Sequence, residues 1–174
     1  MGKLLLNLQK HDIDILEALN HKVKCNFLDK FMTFITYIGS VPFGVFFCII
    51  SLILTNFSIN SLGFKLTFAM ILSTLLSNII KKSVNRIRPY IKLDNLNAIK
   101  IGVDNYSFPS GHTTSAFTMS IMLSLFFPRL SILFIILSTL VGVSRIYLCV
   151  HYPTDVAFGT FLGSLCSIVI FKLT

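Results

Sequence analysis

Charge is what this chain has least of. Only 13% of its 174 residues are Asp, Glu, Lys or Arg, against 54% that are hydrophobic, and the mean hydropathy is +0.80. Soluble domains of this length rarely fall so low in charge. No charged residue interrupts Phe31–Phe64, Leu66–Ile80, Asn105–Pro128, Leu130–Ser144 or Val156–Phe171. A helix needs about 20 apolar residues to cross a bilayer core, and several of these runs approach that length. The composition excludes a soluble domain and implies an integral membrane protein.

Acidic residues are scarce in particular, seven against fifteen lysines and arginines, for a formal net charge of +8. The basic residues stand at the ends of apolar spans and not along one soluble face. That placement suits lipid headgroups or anionic lipids and argues against nucleic acid as a partner. Cys25, Cys48, Cys149 and Cys166 show no paired spacing and read as small hydrophobes. No low-complexity tract or internal repeat is present. The opening MGKLLLNLQKHD carries too short an apolar run for a cleaved signal peptide, so insertion is expected to rely on internal spans.

The expected fold is an all-α membrane protein, a bundle of about five transmembrane helices preceded by an amphipathic interfacial helix. The spans fall at about 31–55, 61–80, 110–128, 130–149 and 154–172. The interfacial segment occupies residues 1–30, where Ile13, Leu16, Leu19 and Val23 recur at helical spacing. Residues 31–174 form the transmembrane domain. Five spans put the N-terminal segment, the 81–109 loop and the 145–153 turn on one side. All lysines and arginines except Lys65, Arg129 and Lys172 then share that side, which the positive-inside rule makes cytoplasmic.

Three polar clusters break the apolar background, all on that side. In KKSVNRIRP, residues 81–89, Lys81 and Arg88 are seven residues apart, two helical turns, so both heads can project from one face before Pro89 ends the helix. Taken alone, the run reads as a stop-transfer cluster snorkelling to headgroups. In FPSGHTTS, residues 108–115, Ser110 is a candidate N-cap. The N–H groups of Ser110, Gly111 and His112 would then form a phosphate site at the positive end of a helix. Gly111 lets an anion approach the backbone, and His112 stands where it can protonate a leaving oxygen.

The third cluster is SRIYLCVHYPTD, residues 144–155. Arg145 offers a planar fork for phosphate, and Pro153 suits the first position of the fifth helix. Asp155, four residues after His151, is placed to receive the Nδ1 proton, leaving Nε2 as a nucleophile. Two histidines plus Asp155 also fit a facial metal triad. Three converging cations would repel a metal, however, and they suit a phosphoryl group instead.

Together, Lys81-x6-Arg88-Pro89, Pro109-Ser110-Gly111-His112 and Ser144-Arg145-x5-His151-x3-Asp155 resemble the three-part signature of the type 2 phosphatidic acid phosphatases. These membrane enzymes share their site with vanadium haloperoxidases and bacterial acid phosphatases. The resemblance implies that His151 attacks phosphorus, Asp155 orients it and His112 protonates the leaving group. It assigns Lys81, Arg88, Ser110, Gly111 and Arg145 to phosphate binding, with no metal and no other cofactor. The implied partners are a lipid phosphate substrate and membrane lipids.

The implied setting is a bacterial inner membrane with the site facing the extracytoplasmic side, against the charge count. With five spans in place of the six of longer bacterial members, the layout is similar to short undecaprenyl-diphosphate phosphatases. The intact Lys81 and Gly111 are more similar to phosphatidylglycerophosphate or broad lipid phosphate phosphatases. Hydrolysis of undecaprenyl diphosphate through a phosphohistidine is the leading expectation. A lipid-phosphate binding or transport protein without catalysis is the reading from another class. The 90–108 loop is expected to wall the site, with Lys92 and Lys100 either solvated or touching phosphate.

Overall fold

The computed structural model of the chain describes residues 2–93, 96–99 and 105–173; Lys100 lies outside the described residues. The helices are α1 (Gly2–Lys22), α2 (Asn26–Thr36), α3 (Val41–Leu54), α4 (Leu62–Val84), the single turn α5 (Pro89–Lys92), α6 (Gly111–Phe126), α7 (Ser131–Tyr147) and α8 (Pro153–Leu173). Among the described residues, the only β pairing is an isolated bridge between Ile87 and Tyr106. The protein is an all-α membrane protein, as its composition implies.

Helix α4, helix α7 with its preceding 3₁₀ turn, and helix α8 are each long and apolar enough to cross a bilayer. The expected first span is a pair, α2 and α3, bent by 49°. Pro42 has no N–H to continue a helix, and the chain turns at Ser40, whose hydroxyl accepts from the Phe43 amide at 3.4 Å. The remaining expected span, α6, has 16 residues, about 24 Å of helix against a hydrocarbon core of about 30 Å. It forms the centre of the bundle, packed on α8, α7 and α4.

Every residue of α6 from Thr113 to Ser120 is buried. Its hydroxyls meet neighbours inside the bundle: Thr118 Oγ1 lies 3.1 Å from Ser73 Oγ on α4, and Ser167 on α8 donates to the Thr118 carbonyl at 2.7 Å. Such pairs let polar residues sit in a membrane bundle. The apolar side chains point the other way, with Phe46, Leu54, Ile132, Ile136 and Phe161 exposed where lipid would meet them.

Two glycines set how closely α8 approaches α6. A Cβ on Gly159 would stand 2.8 Å from the Ser110 carbonyl oxygen, and one on Gly163 would collide with the Thr114 carbonyl. This approach brings the two helix N-termini together, so that the Ser110 amide donates to the Asp155 carbonyl at 3.1 Å.

Helix α1 packs on α7 and α8 with a face the apolar spacing does not single out. Leu16 is fully buried against Cys149 and Tyr152. One turn to either side, Asp12 and Asn20 are each only 2% exposed, whereas Val23 is open. Two polar side chains occupy the buried face because both have partners there: Asn20 with Asn97 and Cys149, and Asp12 with Arg86 and Thr154.

Candidate active site

The ends of α4 and α7 and the starts of α6 and α8 converge on one cavity of about 360 Å³, lined among others by Lys81, Arg88, Gly111, His112, Arg145 and His151. Three of the expected cations, both histidines and the glycine thus share one space. Ser110 and Asp155 do not line it; both are fully buried behind it.

The route by which Lys81 and Arg88 meet differs from the expected common helix face. Helix α4 ends at Val84, and Asn85 takes the left-handed conformation (φ 50°) that closes a helix C-terminus. Arg88 is extended (φ −66°, ψ 149°), as a residue before proline prefers. Residues 86–88 instead run beside 105–107: the Arg88 amide donates to the Asn105 carbonyl at 3.2 Å and the Ser107 amide to the Arg86 carbonyl at 2.7 Å. The guanidinium of Arg88 then reaches the Val150 carbonyl at 3.1 Å and lies 3.4 Å from His151 Nε2. Arg145, 1% exposed, donates to Thr36 Oγ1 at 2.8 Å, so the bend after α2 positions a cation of the site.

Ser110 caps α6, as its sequence position implies: its hydroxyl accepts from the Thr113 amide at 3.4 Å. Its own amide, expected to be free for phosphate, is taken by the Asp155 carbonyl. Among the described residues the amides of Gly111 and His112 have no backbone acceptor, as the first turn of a helix dictates. A Cβ on Gly111 would meet nothing within 4 Å, so the backbone there faces open space that an anion can enter.

His151 is held by a group that nothing in the sequence singles out. Its Nδ1 lies 2.7 Å from the Ser107 carbonyl oxygen, whereas Asp155 Oδ2 is 3.6 Å away. A carbonyl only accepts, so Nδ1 carries the proton and Nε2 keeps its lone pair. The expected Asp155 hydrogen bond is therefore replaced by a main-chain one, with the Asp155 carboxylate standing 3.6 Å from the ring. Burial, together with the charges of Arg145, Arg88 and Lys81, pushes the His151 pKa well below the usual histidine value, while the Ser107 carbonyl acts in the opposite sense. Burial and the three cations thus favour the neutral imidazole.

Asp155 is engaged elsewhere. Its Oδ1 accepts from Arg86 at 2.6 Å and its Oδ2 from the Tyr152 amide at 2.9 Å. Arg86 sits within the first cluster, two residues before Arg88, but turns away from the cavity. Charge alone does not distinguish the two arginines in the sequence. Among the described residues no three His, Cys, Asp or Glu side chains are grouped so as to hold a metal ion.

Comparison with known proteins matches this geometry to a family. The family model described as the PAP2 superfamily matches residues 62–174, from the start of α4 to the C-terminus. Over 104 residues the chain is 36% identical to the bacitracin transport permease protein BcrC of Bacillus licheniformis, covering 59% of this chain and 51% of that protein. Over 106 residues it is 32% identical to an undecaprenyl-diphosphatase of Sulfolobus acidocaldarius, covering 60% of this chain and 52% of that one. The chain thus spans about half the length of these curated relatives. A transmembrane PAP2-type phosphatidylglycerolphosphate phosphatase from Bacillus subtilis, known from its crystal structure, superposes with a TM-score of 0.82 at 27% identity, over 96% of this chain and 86% of that one. With a family match that takes in every one of the three clusters, and a solved member sharing its bundle, the chain belongs to the PAP2 superfamily.

Proposed function

We propose that the chain is a metal-independent phosphatase that hydrolyses lipid phosphates or diphosphates through a phosphohistidine at His151. The observation that carries this reading is the His151 tautomer: Nδ1 is committed to the Ser107 carbonyl, so the Nε2 lone pair faces a cavity bearing three cations. Nε2 attacks phosphorus, and the bond to the lipid oxygen breaks as the N–P bond forms. His112 gives its proton to the departing oxygen. Lys81, Arg88 and Arg145 neutralise the charge spread over the phosphoryl oxygens, with the Gly111 and His112 amides. Water then attacks the phosphohistidine, His112 takes its proton, and inorganic phosphate leaves with Nε2 restored.

Undecaprenyl diphosphate is the substrate we favour, and phosphatidylglycerophosphate is the alternative. A relative named as an undecaprenyl-diphosphatase supports the first, and the Bacillus subtilis structure supports the second. An apolar groove of about 410 Å³ between α3 and α4 adjoins the cavity, sharing Val41, Thr74 and Ser115 with it, and offers either lipid chain an apolar path. The deciding experiment is phosphate release by purified protein in detergent with excess EDTA, both lipids run in parallel. Undecaprenyl diphosphate is expected to be turned over faster. Activity that returns only on adding a divalent metal would overturn the metal-free mechanism, and no release from either lipid would overturn the phosphatase.

The site is assigned to the extracytoplasmic face of a bacterial inner membrane. Lys81, Arg88 and Arg145 have a phosphate-binding reason to be where they are, which weakens the positive-inside count. Cys25 reports on this directly, because it is the exposed cysteine while the other three are buried. Its amide hydrogen-bonds Tyr147 Oη at 3.2 Å, at the site end of α7. A membrane-impermeant maleimide should label Cys25 in intact cells and fail on Cys25→Ser. Labelling only after permeabilisation would reverse the orientation.

A further inference from the structure

We propose that Asp12 and Arg86 form a positioning arm through which helix α1 sets the charge behind the nucleophile His151. The proposal rests on the phosphohistidine reading and adds to it two residues outside the three clusters' assigned roles. Arg86 bridges two buried carboxylates: its guanidinium nitrogens lie 2.6 Å from Asp155 Oδ1 and 2.7 Å from Asp12 Oδ2. Its Cζ sits over the Tyr152 ring, 3.9 Å from the centroid. Asp12 also accepts from the Thr154 amide at 2.9 Å and from its hydroxyl at 2.5 Å. The turn that carries His151 into α8 is thus gripped from the N-terminal helix, 142 residues away in sequence.

Arg86 is not a fourth phosphate ligand. It is absent from the lining of the catalytic cavity and borders a separate, larger one of about 800 Å³ on the α1 side. Its hydrogen bonds go to Asp12, Asp155 and the Thr154 hydroxyl.

The electrostatic consequence has a definite sign. When Nε2 bonds to phosphorus the imidazole becomes positive, and a negative group 3.6 Å from Nδ1 favours that state. Paired with Arg86 alone, the Asp155 carboxylate would be partly offset at the ring. Asp12 supplies the second carboxylate, so the Asp12–Arg86–Asp155 group keeps a net charge of −1. Removing the Asp12 charge weakens the negative field at the ring while leaving the cavity and its cations intact. The loss therefore falls on the transition state and the phosphoenzyme, not on phosphate binding.

The test is Asp12→Asn in the full-length protein, compared with Asp12→Glu, wild type and His151→Ala. Asp12→Asn is expected to lower kcat about tenfold, the lower end of what losing an outer partner costs behind a metal-binding histidine. KM and the inhibition constant for inorganic phosphate should stay within about twofold, since both report ground-state binding. Vanadate, which resembles the transition state, should bind about tenfold more weakly. Asp12→Glu should recover most of kcat. A kcat equal to wild type, or a fall matched by equal weakening of phosphate and vanadate, would overturn the arm while the phosphatase stands. If Asp12→Asn unfolds in detergent, Asp12→Ser removes the same charge with a smaller side chain and gives the same comparison, with kcat and vanadate binding unchanged from wild type as the overturning result. A wild-type protein no more active than His151→Ala would instead bring down the phosphohistidine reading and the arm with it.

Discussion

His151→Ala is expected to abolish steady-state phosphate release, by about four orders of magnitude or more, because it removes the atom that bonds to phosphorus. The cations and the Gly111 and His112 amides stay in place, so the lipid phosphate still binds. What disappears is the split of one hard step into two easier ones. The variant also loses the bond from Nδ1 to the Ser107 carbonyl, worth about 1 kcal/mol net, which is too little to unfold the bundle. Phosphate release in detergent measures the loss. Incubation with labelled lipid phosphate, quenched in alkaline detergent, tests for the acid-labile, base-stable adduct of a phosphohistidine. Wild-type protein should carry that label and His151→Ala should not. Retained turnover in the variant would remove His151 from the nucleophile's role.

Asp155→Asn separates the charge on the ring from the ring's tautomer. In a serine protease triad, the corresponding substitution costs about 10⁴ in kcat because the histidine adopts the wrong tautomer. Here the Ser107 carbonyl holds Nδ1–H, so the tautomer survives and only the charge opposing the imidazolium is lost. The expected fall is therefore smaller, about 10²–10³ in kcat, of the order produced by removing one preorganised stabilising group. Stability falls too. Asp155 accepts from Arg86 on one oxygen and from the Tyr152 amide on the other, and an asparagine must turn its NH₂ toward one of those donors. That mismatch costs about 1–3 kcal/mol, read as a lower unfolding midpoint in detergent. A kcat drop of 10⁴ or more would return control of the tautomer to Asp155. An unchanged kcat would take the carboxylate out of the mechanism.

Where the chemistry is local, the sequence was sufficient. The charge-free runs announce a membrane bundle because burying an unpaired charge in hydrocarbon is costly at every position. Ser110 at the start of α6 and Pro153 at the start of α8 follow from rules that act within one helical turn. The convergence of Lys81, Arg88, Gly111, His112, Arg145 and His151 on one cavity was implied by residue types whose side chains share one chemical purpose.

Tertiary structure alone decided who holds those groups. A backbone carbonyl is the same at every residue, so nothing in the identity of Ser107 marks it as the acceptor for His151, 44 residues on. Arg86 and Arg88 are identical in type and two residues apart. The Arg86–Ser107 and Arg88–Asn105 pairings place Arg88 in the cavity, while Arg86 turns to carboxylates behind it. Asp12 and Asn20 break the apolar face of α1, and only the partners waiting on α8 and in the loops make their burial favourable. Periodicity reports what a helix would bury against an apolar neighbour, and here the neighbour is polar.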